Sequence, residues 1–262
     1  MKGLFFILSL SVCSLFHPAM AQYRSEVWVS DEGNGMYRNP VLHADYSDPD
    51  VCAVGEDYFL TASSFNCTPG LPILHSKDLV NWKIVNYALK KVEPVEYYNE
   101  ARHGKGVWAP SIRFHEGVFY IYWGDPDFGI FMVKTRDPYG EWDAPVLVKA
   151  GKGMIDPCPL WDDDGRVYLY SGFATKVPFI MSRFHNLRNS GGVGMELEQD
   201  MLTIKDKIQL IFPQKDNNPP TEFAGHAFFE ASSIRKVGDK YYFIYSSELS
   251  HELCYAVSDS PC

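Results

Sequence analysis

A short unit recurs four times along this chain, and it limits the folds that the chain can adopt. Each copy has a turn glycine, two further residues and a tyrosine that opens an aromatic strand. An Asp or Glu beside each glycine suits a tight turn, so each copy is predicted to form the turn and second strand of a β-hairpin. The copies are Gly55–Tyr58, Gly117–Tyr120, Gly165–Tyr168 and Gly238–Tyr241.

The spacing of the copies favours a β-propeller. The glycines lie 62, 48 and 73 residues apart, whereas turns in a β-sandwich follow one another every ~8–12 residues. A period of roughly 50 residues or more, with several strands in each unit, is typical of propeller blades. Long amphipathic helical patterns are scarce, so the predicted fold class is all-β, with about four blades and insertions between them.

Acidic and aromatic residues stand shortly before each repeat. Asp48 lies seven residues before its repeat glycine, Glu230 eight, and Trp108 and Asp156 nine. In a propeller the strand before each hairpin turn is the innermost one, so residues at the same end of these strands converge on one mouth of the channel. The pattern therefore predicts a pocket that holds two aspartates, a glutamate and a tryptophan.

Three carboxyl groups beside an aromatic ring are typical of a glycosidase. Cleavage of a glycosidic bond needs one carboxylic acid for the leaving oxygen and one carboxylate to activate water or to attack the sugar. A third carboxylate raises the pKa of the acid, and the apolar Phe228 and Phe229 before Glu230 favour a protonated carboxyl there. Taken singly, each carboxylate also fits an ordinary turn, and Asp50 is a rival to Asp48 for the base.

Composition excludes other classes. The net charge is -9 and the sequence pI is about 5.3, so nucleic acid is not a predicted partner. No segment after the first 21 residues approaches the ~18 apolar residues of a membrane span, so no membrane insertion is predicted. The acidic run at 162–164 lacks the spaced ligands of a calcium loop and is interpreted as a solvated hairpin turn.

Several segments carry a resemblance to a known family. ADYSDPDV, GLPILHSKDLVNW, GVWAPSIRF, IDPCPLWDDDG and FFEASSIRKVGDKYYFIYSS together span nearly all of 39–261. With these segments the chain resembles glycoside hydrolase family 43, five-bladed propeller enzymes that remove arabinose and xylose from plant cell-wall polysaccharides. The resemblance implies an inverting hydrolase with a plant polysaccharide or oligosaccharide as its substrate.

The resemblance also implies roles for individual residues. Asp48 would be the general base, Glu230 the general acid, Asp156 the residue that tunes and orients the acid, and Trp108 the platform beside the sugar. Phe65, after the first hairpin, is a candidate second wall, with a core aromatic as the alternative. His226, four residues before Glu230, is a candidate substrate-binding residue, although a structural histidine is the preferred interpretation.

The ends of the chain lead to two expectations. Residues 1–21 are expected to be a signal peptide, with Lys2, an apolar stretch and Ala19-Met20-Ala21 before cleavage, so the protein is expected to be periplasmic or secreted. Residues 22–262 are expected to be a propeller domain that lacks its fifth blade, since only four repeats are present. The alternative function is therefore a non-catalytic glycan-binding propeller, or an inactive truncated or mosaic fragment.

The resemblance implies no required cofactor, and no metal site is predicted. A structural calcium ion in the channel stays open as an alternative. The family histidine that helps to hold a metal or water there would lie in the absent blade.

Overall fold

A computed structural model describes residues 27–163, 165–173, 193–197, 209–210, 229–247 and 252–259. The predicted signal peptide at 1–21 and the candidate residue His226 lie outside the described residues. No helix in the described part of the chain is long and apolar enough to cross a membrane.

The regular secondary structure of the described chain is almost entirely β-strand, which confirms the predicted fold class. Its one helix, α1 (Val95–Tyr98), is a single turn. The strands are β1 (Asp50–Val54), β2 (Asp57–Thr61), β3 (Gly70–Ser76), β4 (Lys83–Leu89), β5 (Trp108–His115), β6 (Val118–Asp125), β7 (Gly129–Thr135), β8 (Val146–Ala150), β9 (Met154–Trp161), β10 (Val167–Phe173), β11 (Val193–Leu197), β12 (Gln209–Leu210), β13 (Phe229–Val237), β14 (Lys240–Ser247) and β15 (Glu252–Ser258).

The strands form four antiparallel sheets, each made of consecutive strands. The sheets are β1–β4, β5–β8, β9–β12 and, among the described residues, the three strands β13–β15. Each predicted repeat lies at the turn between the first and second strands of one sheet. The first strand lies at an edge of its sheet, and β1 contacts β5, β5 contacts β9 and β9 contacts β13. These sheets are the blades of a propeller, and their first strands are the inner ones.

Each pair of neighbouring blades shares its own apolar cluster. Ile73 and Ile121 are fully buried in the cluster between blades one and two. Tyr122 and Leu169 lie in the cluster between blades two and three, and Tyr170 packs between blades three and four. Because a buried Ile or Leu side chain contributes about 1.5–3 kcal/mol, these clusters hold the inner strands in place around the axis.

A buried ion pair reinforces the contact between blades three and four. Asp162 accepts hydrogen bonds from the Tyr241 hydroxyl at 2.7 and 2.8 Å and from Lys236 Nζ at 2.8 Å. Its side chain is only 5% exposed, whereas Asp163 beside it is 83% exposed. Burial opposes the charge, but Lys236 and Tyr241 hold the pKa of Asp162 below its usual value. The prediction of a solvated turn is therefore wrong for Asp162, because its tertiary partners on blade four cover it.

Candidate active site

One cleft opens where the inner strands of the blades meet. Its lining repeats from blade to blade: Asp48-Pro49-Asp50, Ala109-Pro110-Ser111 and Asp156-Pro157-Cys158 occupy equivalent positions. Ser233 of blade four and Arg113 of blade two complete the lining. The predicted convergence of Asp48 and Asp156 on one pocket is thus present in the structure.

The three residues before these prolines share an unusual backbone conformation. Asp48, Ala109 and Asp156 have φ values of 49°, 36° and 52°. A proline disfavours the right-handed helical region for the residue before it, and the left-handed region costs about 1–3 kcal/mol for a non-glycine residue. In β5 and β9 the strand register also shifts at this point. These irregular strand entries place Asp48 and Asp156 at the cleft.

The register corrects one part of the sequence argument. Ser111, Cys158 and Ser233 are the first residues paired after the shift in β5, β9 and β13. Counted from these residues, the equivalent of Asp156 in blade two is Ala109, and Trp108 precedes it. Glu230, which pairs with Ser246, likewise stands one residue before the position in β13 that is equivalent to Asp156 in β9.

For Trp108, the physical reason for this difference is the form of the hairpin turn, whereas Glu230 simply lies one residue further from its glycine than Asp48 does. Gly55 and Gly238 are the first residues of their turns, whereas Gly117 is the second. Counting back from the glycine therefore does not give the same strand position in every blade.

Asp48 is held by two serine hydroxyls. Ser47 Oγ and Ser63 Oγ each donate to Asp48 Oδ2 at 2.8 Å. Ser63 Oγ in turn accepts from the Ala109 backbone N–H at 2.8 Å. The carboxylate of blade one is therefore fixed against blade two, and Asp48 as a residue is exposed to solvent.

Asp50 has a different environment from its neighbour. Its Oδ2 accepts from the Ile112 backbone N–H at 2.8 Å and from Arg113, and its Oδ1 lies 3.4 Å from Arg235 Nη2. The side chains of Asp50 and Arg113 are 23% and 13% exposed. Both carboxylate oxygens of Asp50 are thus engaged by guanidinium groups, whereas the contacts of Asp48 fall on one oxygen, so this geometry favours Asp48 over Asp50 as the base.

Cys158 completes a charged cluster at the floor of the cleft. Its Sγ lies 3.0 Å from Arg113 Nη2 and 3.6 Å from Arg235 Nη1. Burial alone would raise the pKa of Cys158, but the two guanidinium groups hold it below its usual value. Burial likewise opposes the charge of Arg113, but the sulfur of Cys158 and the carboxylate of Asp50 hold the pKa of Arg113 above its usual range. Blades one to four are thus joined at the axis by a network of ion pairs and hydrogen bonds.

The two predicted aromatic walls are not among the residues that line the cleft, and each stands close in sequence to a residue of the site. Trp108 directly precedes the lining residue Ala109, and its indole N–H donates to the Gly104 carbonyl at 2.9 Å. Phe65 lies two residues after Ser63 and forms an isolated β-bridge with Val107. Both aromatic residues are half-buried. The role of Phe65 as a second wall, with a core aromatic as the alternative, stays a prediction.

The remaining predicted residues are placed less completely. For Glu230 the structure gives its position in β13, and this strand contacts β9, the inner strand of blade three. His226 lies outside the described residues. Within the described part of the chain no three His, Cys, Asp or Glu side chains come together as metal ligands. The expectation that no cofactor is required stays a prediction.

Comparison with known proteins decides the family. The sequence profile of Glycosyl hydrolases family 43 matches residues 37–260. The chain belongs to glycosyl hydrolase family 43.

Relatives of this family 43 chain include proteins that are named as glycosidases. It is 39% identical to the non-reducing end α-L-arabinofuranosidase BoGH43B of Bacteroides ovatus over 141 residues. This match covers 52% of this chain and 26% of that protein. It is 35% identical to a β-xylosidase of Formosa agariphila over 149 residues. This second match covers 55% of this chain and 25% of that protein. The chain thus spans the equivalent of about a quarter of each relative.

A solved structure from the same family has a similar fold. A family 43 protein retrieved from a capybara gut metagenome superposes with a TM-score of 0.69 at 26% identity. The superposition covers 85% of this chain and 41% of that chain.

Sequence reasoning missed the cluster that supports the site. Arg113 and Arg235 occupy equivalent positions in blades two and four, two residues after Ser111 and Ser233. A signal was present, since the tripeptide Ser-Ile-Arg occurs in both blades. Ser63 had no comparable signal, because its role depends on contacts with residues 15 and 46 positions away.

Proposed function

We propose that this family 43 chain is an inverting glycosidase that removes arabinofuranosyl or xylosyl residues from plant cell-wall polysaccharides such as arabinoxylan or arabinan. The observation that carries the proposal is the single cleft that is lined by both Asp48 of blade one and Asp156 of blade three. The names of the relatives, an arabinofuranosidase and a β-xylosidase, support this substrate class.

In the proposed reaction, Asp48 is the general base. Both serine hydrogen bonds fall on its Oδ2, and we assign Oδ1 to the attacking water. The water oxygen bonds to the anomeric carbon as its proton passes to Asp48. The exposure of Asp48 to solvent supports this role, because an inverting enzyme must admit a water molecule between base and sugar.

Glu230 is the proposed general acid. As the bond between the anomeric carbon and the leaving oxygen breaks, the proton of Glu230 passes to that oxygen. Asp156 stands on β9, the inner strand that contacts Glu230's strand β13, and its charge is proposed to keep Glu230 protonated and oriented. An inverting enzyme holds its base and acid about 6.5–9.5 Å apart, which leaves room for the water.

The test uses p-nitrophenyl α-L-arabinofuranoside and β-D-xyloside with wild type, Asp48→Asn and Glu230→Gln. Wild-type turnover that falls by at least about 10³-fold in Asp48→Asn, with unchanged thermal unfolding, is the expected result. Glu230→Gln should lose more activity on arabino- or xylo-oligosaccharides than on the p-nitrophenyl glycosides, because p-nitrophenolate leaves with little help from an acid. The exposed Asp163→Asn is the control and should keep wild-type activity. Proton NMR of the first product should show the inverted anomer.

Two outcomes would contradict the proposal. A retained anomer would overturn the inverting mechanism. Cooperatively folded wild-type protein that binds arabinoxylan without turnover would favour the glycan-binding alternative.

A further inference from the structure

The two aromatic walls are joined through one short turn. Phe65 N–H donates to the Val107 carbonyl at 3.0 Å, and Val107 N–H donates to the Phe65 carbonyl at 2.9 Å. Three residues before Val107, the Gly104 carbonyl accepts the indole N–H of Trp108. The turn of residues 104–107 therefore contacts both Phe65 and Trp108.

The turn itself is anchored to blade two. Lys105 Nζ contacts Asp127 at 2.5 Å and the Tyr97 hydroxyl at 3.3 Å. Nearby, the Tyr98 hydroxyl donates to the buried Asp125 at 2.5 Å. Lys105 thus ties the turn to α1 and to the loop after β6 by contacts within the protein.

Gly106 allows the turn to approach Phe65. Its φ is +95°, and a Cβ built there would lie 2.5 Å from the Phe65 carbonyl oxygen and 2.9 Å from the Phe65 carbonyl carbon. Any side chain would push this backbone away and break the paired hydrogen bonds to Val107. Phe65 has a φ of 51°, a conformation that persists only where its surroundings impose it.

We infer that Gly106 is a positioning residue that fixes the distance between Phe65 and Trp108, and so sets the width of the slot that receives the sugar ring. The effect on substrate binding rests on the proposed function, whereas the structural coupling between the turn and Trp108 does not. Gly104 provides a matched control. Its φ is +70°, but a Cβ there would meet nothing within 4 Å.

The structural test labels the chain with [15N]tryptophan and follows the indole N–H resonances of its six tryptophans. The Trp108 resonance is assigned by its loss in Trp108→Phe. Gly106→Ala is expected to shift this resonance clearly beyond its line width, and Gly104→Ala to leave it in place. An unmoved resonance in folded Gly106→Ala would overturn the inference, whatever the activity.

The functional test compares the same two variants on the better p-nitrophenyl glycoside. Gly106→Ala should raise KM about five- to tenfold with kcat within about twofold, because ground-state binding is lost. The effect should shrink in a Phe65→Ala background, where no ring remains to be displaced. Equal KM values for Gly106→Ala and Gly104→Ala would contradict the inference. If wild type has no turnover, the proposed function fails. The indole resonances then still show whether Gly106 fixes the position of Trp108.

Lys105→Met covers the case in which Gly106→Ala does not fold. It removes the turn's anchor to Asp127 and leaves Gly106 unchanged. The Trp108 resonance should again move, and an unmoved resonance in this variant would also contradict the inference.

Discussion

Two neighbouring aspartates of blade one should respond to the same substitution in opposite ways. Asp50 is enclosed by Arg113, Arg235 and the Ile112 N–H, whereas Asp48 is exposed and held by serines. Asp50→Asn keeps an acceptor for Ile112 but leaves the guanidinium groups without their carboxylate. We expect it to destabilise the fold, and Asp48→Asn to abolish turnover with the fold intact.

The magnitude follows from burial. Removal of one partner of a buried ion pair costs about 3–5 kcal/mol, and the partial exposure of Asp50, at 23%, argues for the lower end. A loss of about 3 kcal/mol lowers Tm by about 6–12 °C in a chain of this size. Asp48→Asn should shift Tm by no more than about 2 °C, because it retains oxygen and nitrogen groups at an exposed site.

The assay is thermal unfolding followed by circular dichroism, beside turnover of the p-nitrophenyl glycosides. Asp50→Asn with a wild-type Tm would refute the ion-pair argument. An active Asp48→Asn together with a stable, inactive Asp50→Asn would make Asp50 the base.

Three further predictions test other parts of the structure. Ser63→Ala should lower kcat/KM about tenfold, because Asp48 loses one donor and Ala109 N–H loses its acceptor; a change below twofold would contradict this. Asp162→Asn should lower the free energy of unfolding by about 2–3 kcal/mol at pH 7 and Asp163→Asn by less than about 0.5 kcal/mol, measured by urea unfolding. The pKa of Asp162 is lowered in the folded state, so the extra stability of wild type over Asp162→Asn is present above the unfolded-state pKa of ~3.9. This difference in the free energy of unfolding should disappear as the pH falls below that value. A difference that persisted at low pH would refute the ion pair of Asp162 as its source. The fully buried Ile121→Ala should cost about 2–5 kcal/mol, whereas the exposed Ile84→Ala should cost less than about 0.5 kcal/mol in the same assay.

Local sequence patterns were sufficient to predict the all-β fold and its blades. A turn glycine beside an acidic residue and an aromatic strand are properties of a few adjacent residues, so the four hairpins can be recognised without tertiary contacts. The Asp-Pro pairs at 48 and 156 also mark irregular strand entries locally. Their convergence on one cleft followed from the spacing of the repeats.

Only the tertiary structure distinguished residues that are alike in sequence. Asp48 and Asp50 stand two residues apart, and contacts with blades two and four make one exposed and the other an ion-pair partner. Asp162 and Asp163 are adjacent, and only Asp162 is covered by Tyr241. In each case the deciding partner lies on another strand or blade, at a sequence distance over which local residue preferences carry no information.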